Sequence, residues 1–155
     1  MTQPVVVQRV VLEETLRELA KRGWHRTERV ALWLAQRRED SITVQEVYVP
    51  QYEASCDYFH IPRASMATLM EHLRDKRLMI GAQLHTHPLE AFHSAADDRW
   101  AIVRHAGALS IVIPHFGRFA TAENFLDHAK VFRLNPGNEW VEVARSELRH
   151  LLGVV

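Results

Sequence analysis

The chain has 155 residues, 47% apolar and 25% charged, with nineteen Lys+Arg against nineteen Asp+Glu and a formal net charge of zero. That length and mix suit one globular domain over 1–155, large enough to bury about two thirds of its unfolded surface without a covalent staple. The absent basic excess speaks against nucleic acid as a partner, and no stretch approaches the roughly 18 apolar residues a membrane helix needs. Met1-Thr2-Gln3-Pro4 lacks the pattern of a signal peptide. Cys56 is the single cysteine, so neither an intramolecular disulfide nor a cysteine zinc site can form. A cytoplasmic protein is expected. One count stands out: ten histidines, a side chain suited to metal ligation and proton transfer.

Leu12, Leu16, Leu19 and Ala20 sit at helical spacing and Gly23 follows as a stop signal, which predicts a helix over about 9–22. Val30 to Ala35 is an apolar run of strand length. A charged turn over Arg37 to Asp40 leads to the alternating strand Thr43–Val49, making a hairpin. Tyr58–Ile61 reads as a short strand before Pro62. Met66, Leu69, Met70 and Leu73 form a helical stripe with Ser65 as its cap. Leu78–Leu84 is a second apolar strand and runs directly into His85. A short helix is expected from Ser94, then strands at Leu109–Ile113 and Lys130–Leu134. The turn Asn135-Pro136-Gly137-Asn138 precedes a strand Trp140–Val143, and a helix Arg145–Leu152 closes the chain. Helices interspersed with hairpins and fully apolar strands predict an α/β (α+β) domain: a mixed central β-sheet with flanking helices.

The chemistry concentrates at His85-Thr86-His87-Pro88. Residues i and i+2 of a strand share a face about 6.5–7 Å apart, so two imidazoles there can converge on one ion. Pro88 cannot extend the ladder and leaves the pair at the sheet rim. Ser94-Ala95-Ala96-Asp97 follows. It is readable as a capping box, with Ser94 and Asp97 satisfying the first turn of a helix. It also permits Asp97 to face the rim as an oxygen ligand. Two histidines, one aspartate and an open fourth position describe a catalytic rather than a structural zinc site. A hydrolase needs a base as well. Glu28, at the entrance of a buried strand, is either that base or a solvated residue at the strand's edge. Ser94 can offer its hydroxyl to a developing oxyanion.

Glu28 ahead of its apolar strand, then His85-Thr86-His87-Pro88, then Ser94-Ala95-Ala96-Asp97, resembles the JAMM (also MPN+ or JAB) metalloprotease family over roughly residues 9 to 143. Arg29 to Leu34 looks like its prokaryotic branch. The resemblance implies a three-layer JAMM/MPN (cytidine-deaminase-like) architecture. It implies Zn2+ held by His85, His87 and Asp97, with Glu28 activating water and Ser94 stabilising the tetrahedral intermediate. It further implies a peptidase or isopeptidase that cuts after the C-terminus of a ubiquitin-like modifier, in maturation or deconjugation. Activating or conjugating enzymes would be partners in the same system, some such systems being antiphage. Six residues separate His87 from Ser94, one fewer than the common family pattern, and Ala31 and Ala35 stand where the family often has glycines. Asp98 competes with Asp97, but only Asp97 has the Ser-x-x-Asp spacing.

His93 is read as solvent-facing, Glu90 as a loop carboxylate and Trp100 as helix packing. The remaining histidines have no partner spacing. The alternatives to a modifier-directed enzyme are a zinc hydrolase of small peptides or amides, and a catalytically silent scaffold of the same fold.

Overall fold

The computed structural model describes residues 2–21, 28–54, 59–91 and 101–155. In chain order the elements are β1 (Val5–Val7), α1 (Arg9–Ala20), β2 (Val30–Arg37), β3 (Ile42–Tyr48), β4 (Glu53–Ala54), β5 (Phe59–His60), α2 (Arg63–Lys76) and β6 (Met79–Thr86). There follow β7 (Leu109–Ile113), a tight turn at His115–Gly117, α3 (Phe125–His128), β8 (Lys130–Leu134), β9 (Trp140–Glu142), α4 (Arg145–Leu151) and β10 (Leu152–Val154). Eight strands form one sheet in the order β10-β1-β3-β2-β6-β7-β8-β9, while β4 and β5 make a separate ribbon. The sheet is mixed: β2 is antiparallel to β3 and β6, β6 is parallel to β7, and β1 is parallel to both β3 and β10. The expected mixed sheet with flanking helices is therefore present. Among the described residues, no helix is long and apolar enough to cross a membrane.

Helices cover both faces. On one, Leu12, Leu16 and Leu19 of α1, Phe125 of α3 and Leu148 and Leu151 of α4 pack on Ala31, Trp33, Ala82, Leu84 and Ile111. On the other, Leu69 of α2 packs with Leu32, Leu34, Ile80 and Leu134. Strands covered on both sides lose their alternation and read as continuous apolar runs, which is why β2 and β7 are buried almost end to end. Polar ties join α1 to the sheet, the Trp33 indole N–H donating to Thr15 Oγ1 at 2.9 Å and Arg29 Nε, at the entrance of β2, donating to Glu18 O at 2.8 Å.

The central pair β2–β6 carries an irregularity. Trp33 pairs with Ala82 and Leu34 with Ile80, leaving Gly81 as one extra residue on β6. Because side chains alternate, one extra residue reverses every face assignment beyond it. Ile80 consequently joins the α2 side and Ala82 the α1 side, although both are even-numbered. Gly81 is suited to the position: an added Cβ would stand 3.0 Å from the Ala35 Cβ.

Several boundaries differ from the sequence reading. Helix α2 starts at Arg63, after Pro62 and ahead of the expected Ser65 cap, and no side chain caps it. A proline's fixed φ suits a helix start without a capping oxygen. At its other end Arg77 turns left-handed, and the Leu78 N–H closes on Leu73 O at 2.9 Å. The charged turn begins one residue later than expected, since β2 runs through Arg37. The last helix ends at Leu151, and Leu152 begins β10. Strands β1, β4 and β10 and helix α3 were not expected, being two to four residues long, with β4 falling where residues 50–58 read as loop. The first helix ends at Ala20, two residues before the expected 22, with Lys21 leaving helical geometry at φ -59° and ψ 127°, while the predicted helix at Ser94 lies outside the described residues.

Candidate metal and catalytic site

Register builds the site. Val30 pairs with His85 and Ala31 with Leu84 in antiparallel β2–β6. Continuing the ladder, the Thr86 N–H donates to Arg29 O at 3.0 Å, and Arg29 N–H returns a bond to Thr86 Oγ1 at 3.0 Å. The next pair along is Glu28 and His87. Residues directly opposite share a face, so Glu28, His85 and His87 all emerge on the side of the sheet that α2 covers. The face is the one selected by the extra residue at Gly81.

The three side chains meet there in a dry environment. Glu28 is 1% exposed, His85 0% and His87 2%. Glu28 Oε1 lies 3.6 Å from His87 Nε2, and the two imidazole centroids are 5.1 Å apart with ring planes inclined by 49°. The reading of Glu28 as a solvated strand-edge residue is thereby removed. Beside His85, Val112 sits in register on β7 and packs with Ala91 and Phe132 in a small apolar cluster. An ionised carboxylate this deeply buried is costly without a polar partner or a cation beside it, and His87 is the neighbour the register brings to Glu28.

The backbone around His87 is held from the neighbouring strand. His87 N–H donates to Ile113 O at 2.9 Å, Phe116 N–H to His87 O at 2.7 Å, and His115 N–H to Leu89 O at 2.9 Å. To reach back in this way the turn places His115, Phe116 and Gly117 all at positive φ, 56°, 53° and 71°. Two consecutive non-glycine residues in that region carry strain, tolerated where surrounding contacts over-determine it. Pro114 and Gly117 were the readable sign of this turn.

Gln83 was missed altogether. It lies two residues before His85 on the same face, fully buried. Its Nε2 donates to Ser110 Oγ at 3.1 Å, while its Oε1 accepts from the Ile102 and Val103 N–H groups at 2.9 and 3.4 Å. The strand that bears the histidines thus also fixes the chain where it re-enters the core after residue 100. A lone glutamine inside an apolar run was the only signal, and an unbonded amide there would be costly.

Ser94 and Asp97, together with His93, Asp98 and Trp100, lie outside the described residues. Although Glu28, His85 and His87 are neighbours, among the described residues no three His, Cys, Asp or Glu side chains are placed so that together they could hold a metal ion. The structure assembles two of the three expected ligands with the expected base. Neutral imidazoles suit zinc and other first-row ions, and the paired rings beside a buried carboxylate form a fitting donor set.

No protein-family model matches the chain. Among solved structures, it is similar to the solution structure of protein DSY2949 from Desulfitobacterium hafniense, with a TM-score of 0.65 and 18% identity, covering 97% of this chain and 92% of that one. That likeness concerns the fold alone. In sequence, the chain is 28% identical over 146 residues to a Sinorhizobium fredii protein named probable metalloprotease y4jG, an alignment covering 90% of this chain and 85% of the relative.

Proposed function

We propose that this chain is a zinc metallopeptidase of the JAMM type that cleaves after the C-terminus of a ubiquitin-like modifier. The observation that carries the reading is the convergence of buried Glu28, His85 and His87 on one sheet face, 3.6 Å between the carboxylate and the nearer ring. The similarity to a protein named probable metalloprotease supports the peptidase part. His85 and His87 would hold the ion, with Asp97 as third ligand on the strength of the family resemblance. Bound zinc supplies a Lewis acid there, polarising a carbonyl and making water more acidic. Glu28 Oε1 accepts a proton from the attacking water and returns it to the departing amine nitrogen. Burial of that carboxylate keeps bulk water from competing for the proton. Ser94 Oγ donates to the oxyanion. The modifier's tail enters as an extended strand, the form in which peptides pair with sheet edges.

The test is metal content per chain by mass spectrometry for the wild type and His87→Ala, followed by incubation with a modifier fused to a short C-terminal extension. About one zinc in the wild type, little in the variant, and release of the extension support the full reading. Metal with cleavage of short peptides alone points to the small-peptide hydrolase. Absence of metal after zinc is supplied would overturn the peptidase altogether.

A further inference from the structure

Thr86 stands between the two histidines, and alternation along β6 turns its side chain to the opposite face of the sheet. It is fully buried. A Cβ added to Gly117 would stand 3.7 Å from the Thr86 methyl and 3.9 Å from the Ala20 nitrogen. The methyl therefore lies beside the left-handed turn and the end of α1.

The hydroxyl takes over a main-chain role. Where two antiparallel residues exchange both their bonds, each N–H reaches the opposite carbonyl. Arg29 and Thr86 keep one half of that exchange, Thr86 N–H donating to Arg29 O at 3.0 Å. The other half goes to the side chain, Arg29 N–H donating to Thr86 Oγ1 at 3.0 Å. At this point β6 is also paired with β7: Thr86 is in register with Ile113, and His87 N–H donates to Ile113 O at 2.9 Å. The hydroxyl keeps the entrance of β2 attached to a strand whose main chain is turning to its other neighbour.

What it grips is the approach to the buried carboxylate. The Arg29 N–H and the Glu28 carbonyl belong to one planar peptide unit, so fixing that N–H fixes the plane from which Glu28 extends. The other ties of Arg29 act beyond its Cα. Its carbonyl accepts from Thr86, and its Nε donates to Glu18 O at 2.8 Å. Glu28 Oε1 stands 3.6 Å from His87 Nε2, and a catalytic group displaced by about 1 Å can lose on the order of 10²-fold in rate.

We propose that Thr86 is a positioning residue for the base: its hydroxyl, by holding the peptide that joins Glu28 to Arg29, sets the Glu28 carboxylate where it can take a proton from the attacking water. The inference rests on the peptidase reading above. Thr86 itself neither ligates nor touches the reacting atoms.

Stability and activity should then separate. Thr86→Val keeps the shape and the methyl but removes the acceptor, whereas Thr86→Ser keeps the acceptor and removes the methyl beside Gly117. The experiment compares both with the wild type, as full chains supplied with zinc. It reads the urea midpoint, zinc content, hydrogen exchange of the Arg29 amide by NMR, and kcat and KM on the modifier fusion, or on a short peptide if only that is cleaved. Thr86→Val should hold zinc as the wild type does. Its Arg29 amide should exchange about tenfold faster or more, and its kcat should fall about 10–100-fold with KM little changed. Thr86→Ser should unfold at lower urea yet keep its kcat.

Should Thr86→Val not fold, Thr86→Ala against Thr86→Ser makes the same comparison, since those two differ only in the hydroxyl, and the loss is expected in the alanine variant alone. Wild-type kcat in Thr86→Val, unchanged exchange at Arg29, or a serine variant as slow as the valine one would overturn the proposal. So would loss of zinc from Thr86→Val, which would place the effect on the histidines. A wild type that holds zinc but cleaves neither substrate would overturn the peptidase reading and the role of Thr86 with it, while exchange at Arg29 would still report the hydroxyl bond.

Discussion

The two ends of the β2–β6 pair treat charge in opposite ways. At the end where β2 begins, Glu28, His85 and His87 are sealed at 2% exposure or less. At the end where β2 finishes, Arg37, Arg38 and Arg77 stand in solvent on long side chains. Sealed groups interact strongly because little water screens them, and each depends on its neighbours being correctly placed. Exposed guanidinium groups interact weakly one by one and tolerate movement. The same ladder therefore carries a rigid, water-excluding site at one end and an adaptable charged surface at the other.

The contrast breaks most completely at Gly81. Deleting it removes the bulge and returns His85 and His87 to the α1 face, so metal binding should be lost together with cooperative unfolding. Gly81→Ala keeps the bulge but crowds Ala35, and should cost about 1–3 kcal/mol in a urea titration. A deletion variant that still takes up metal would show that the bulge does not select the face. At the sealed end, Glu28→Gln should retain metal and lower turnover by about 10²–10⁴-fold, whereas Arg37→Gln should leave cleavage of a short peptide substrate unchanged. Similar losses in both would erase the distinction between the ends.

A smaller effect is expected at Gln83. Replacement by Met preserves length but strands the Ile102 and Val103 N–H groups, at a cost of about 1–3 kcal/mol in thermal or chemical unfolding. No loss would mean that residues 101–103 are held by other contacts.

The smallest effect belongs to Glu46, where α2 meets β3. Burial alone would push its carboxyl up, but hydrogen bonds from His72 and Lys76, with the Lys76 and His72 charges, outweigh burial and hold it below the ordinary 4.5. A lowered carboxyl stabilises the fold above the ordinary value, and the contribution fades as pH falls through the folded-state value. Glu46→Gln should therefore cost under about 1 kcal/mol at neutral pH, and the difference from wild type should shrink as pH falls below the ordinary 4.5 and through the lowered folded-state value. A difference that persists in acid would place its origin in packing.

Much of this arrangement is legible in the residues. Long apolar runs identified β2, β6 and β7, and the His-x-His before Pro88 located the site at a strand's end, because alternation along a strand is a local rule. Short edge strands escaped notice: Val5–Val7 and Leu152–Val154 pair only with one another and with β3, and three residues hold no period to read. Gln83 looked like one polar residue in an apolar run until its partners, 19 to 27 positions away, came into contact with it.

Local chemistry thus determined which side chains can ligate, which segments must be buried, and that two imidazoles would share a face. Which face that is, that Glu28 stands buried opposite His87, and that the Thr86 hydroxyl takes the Arg29 N–H were decided by tertiary structure. The physical reason is the same in each case: facing and proximity across a sheet depend on register, and register is a property of paired strands that no single strand contains.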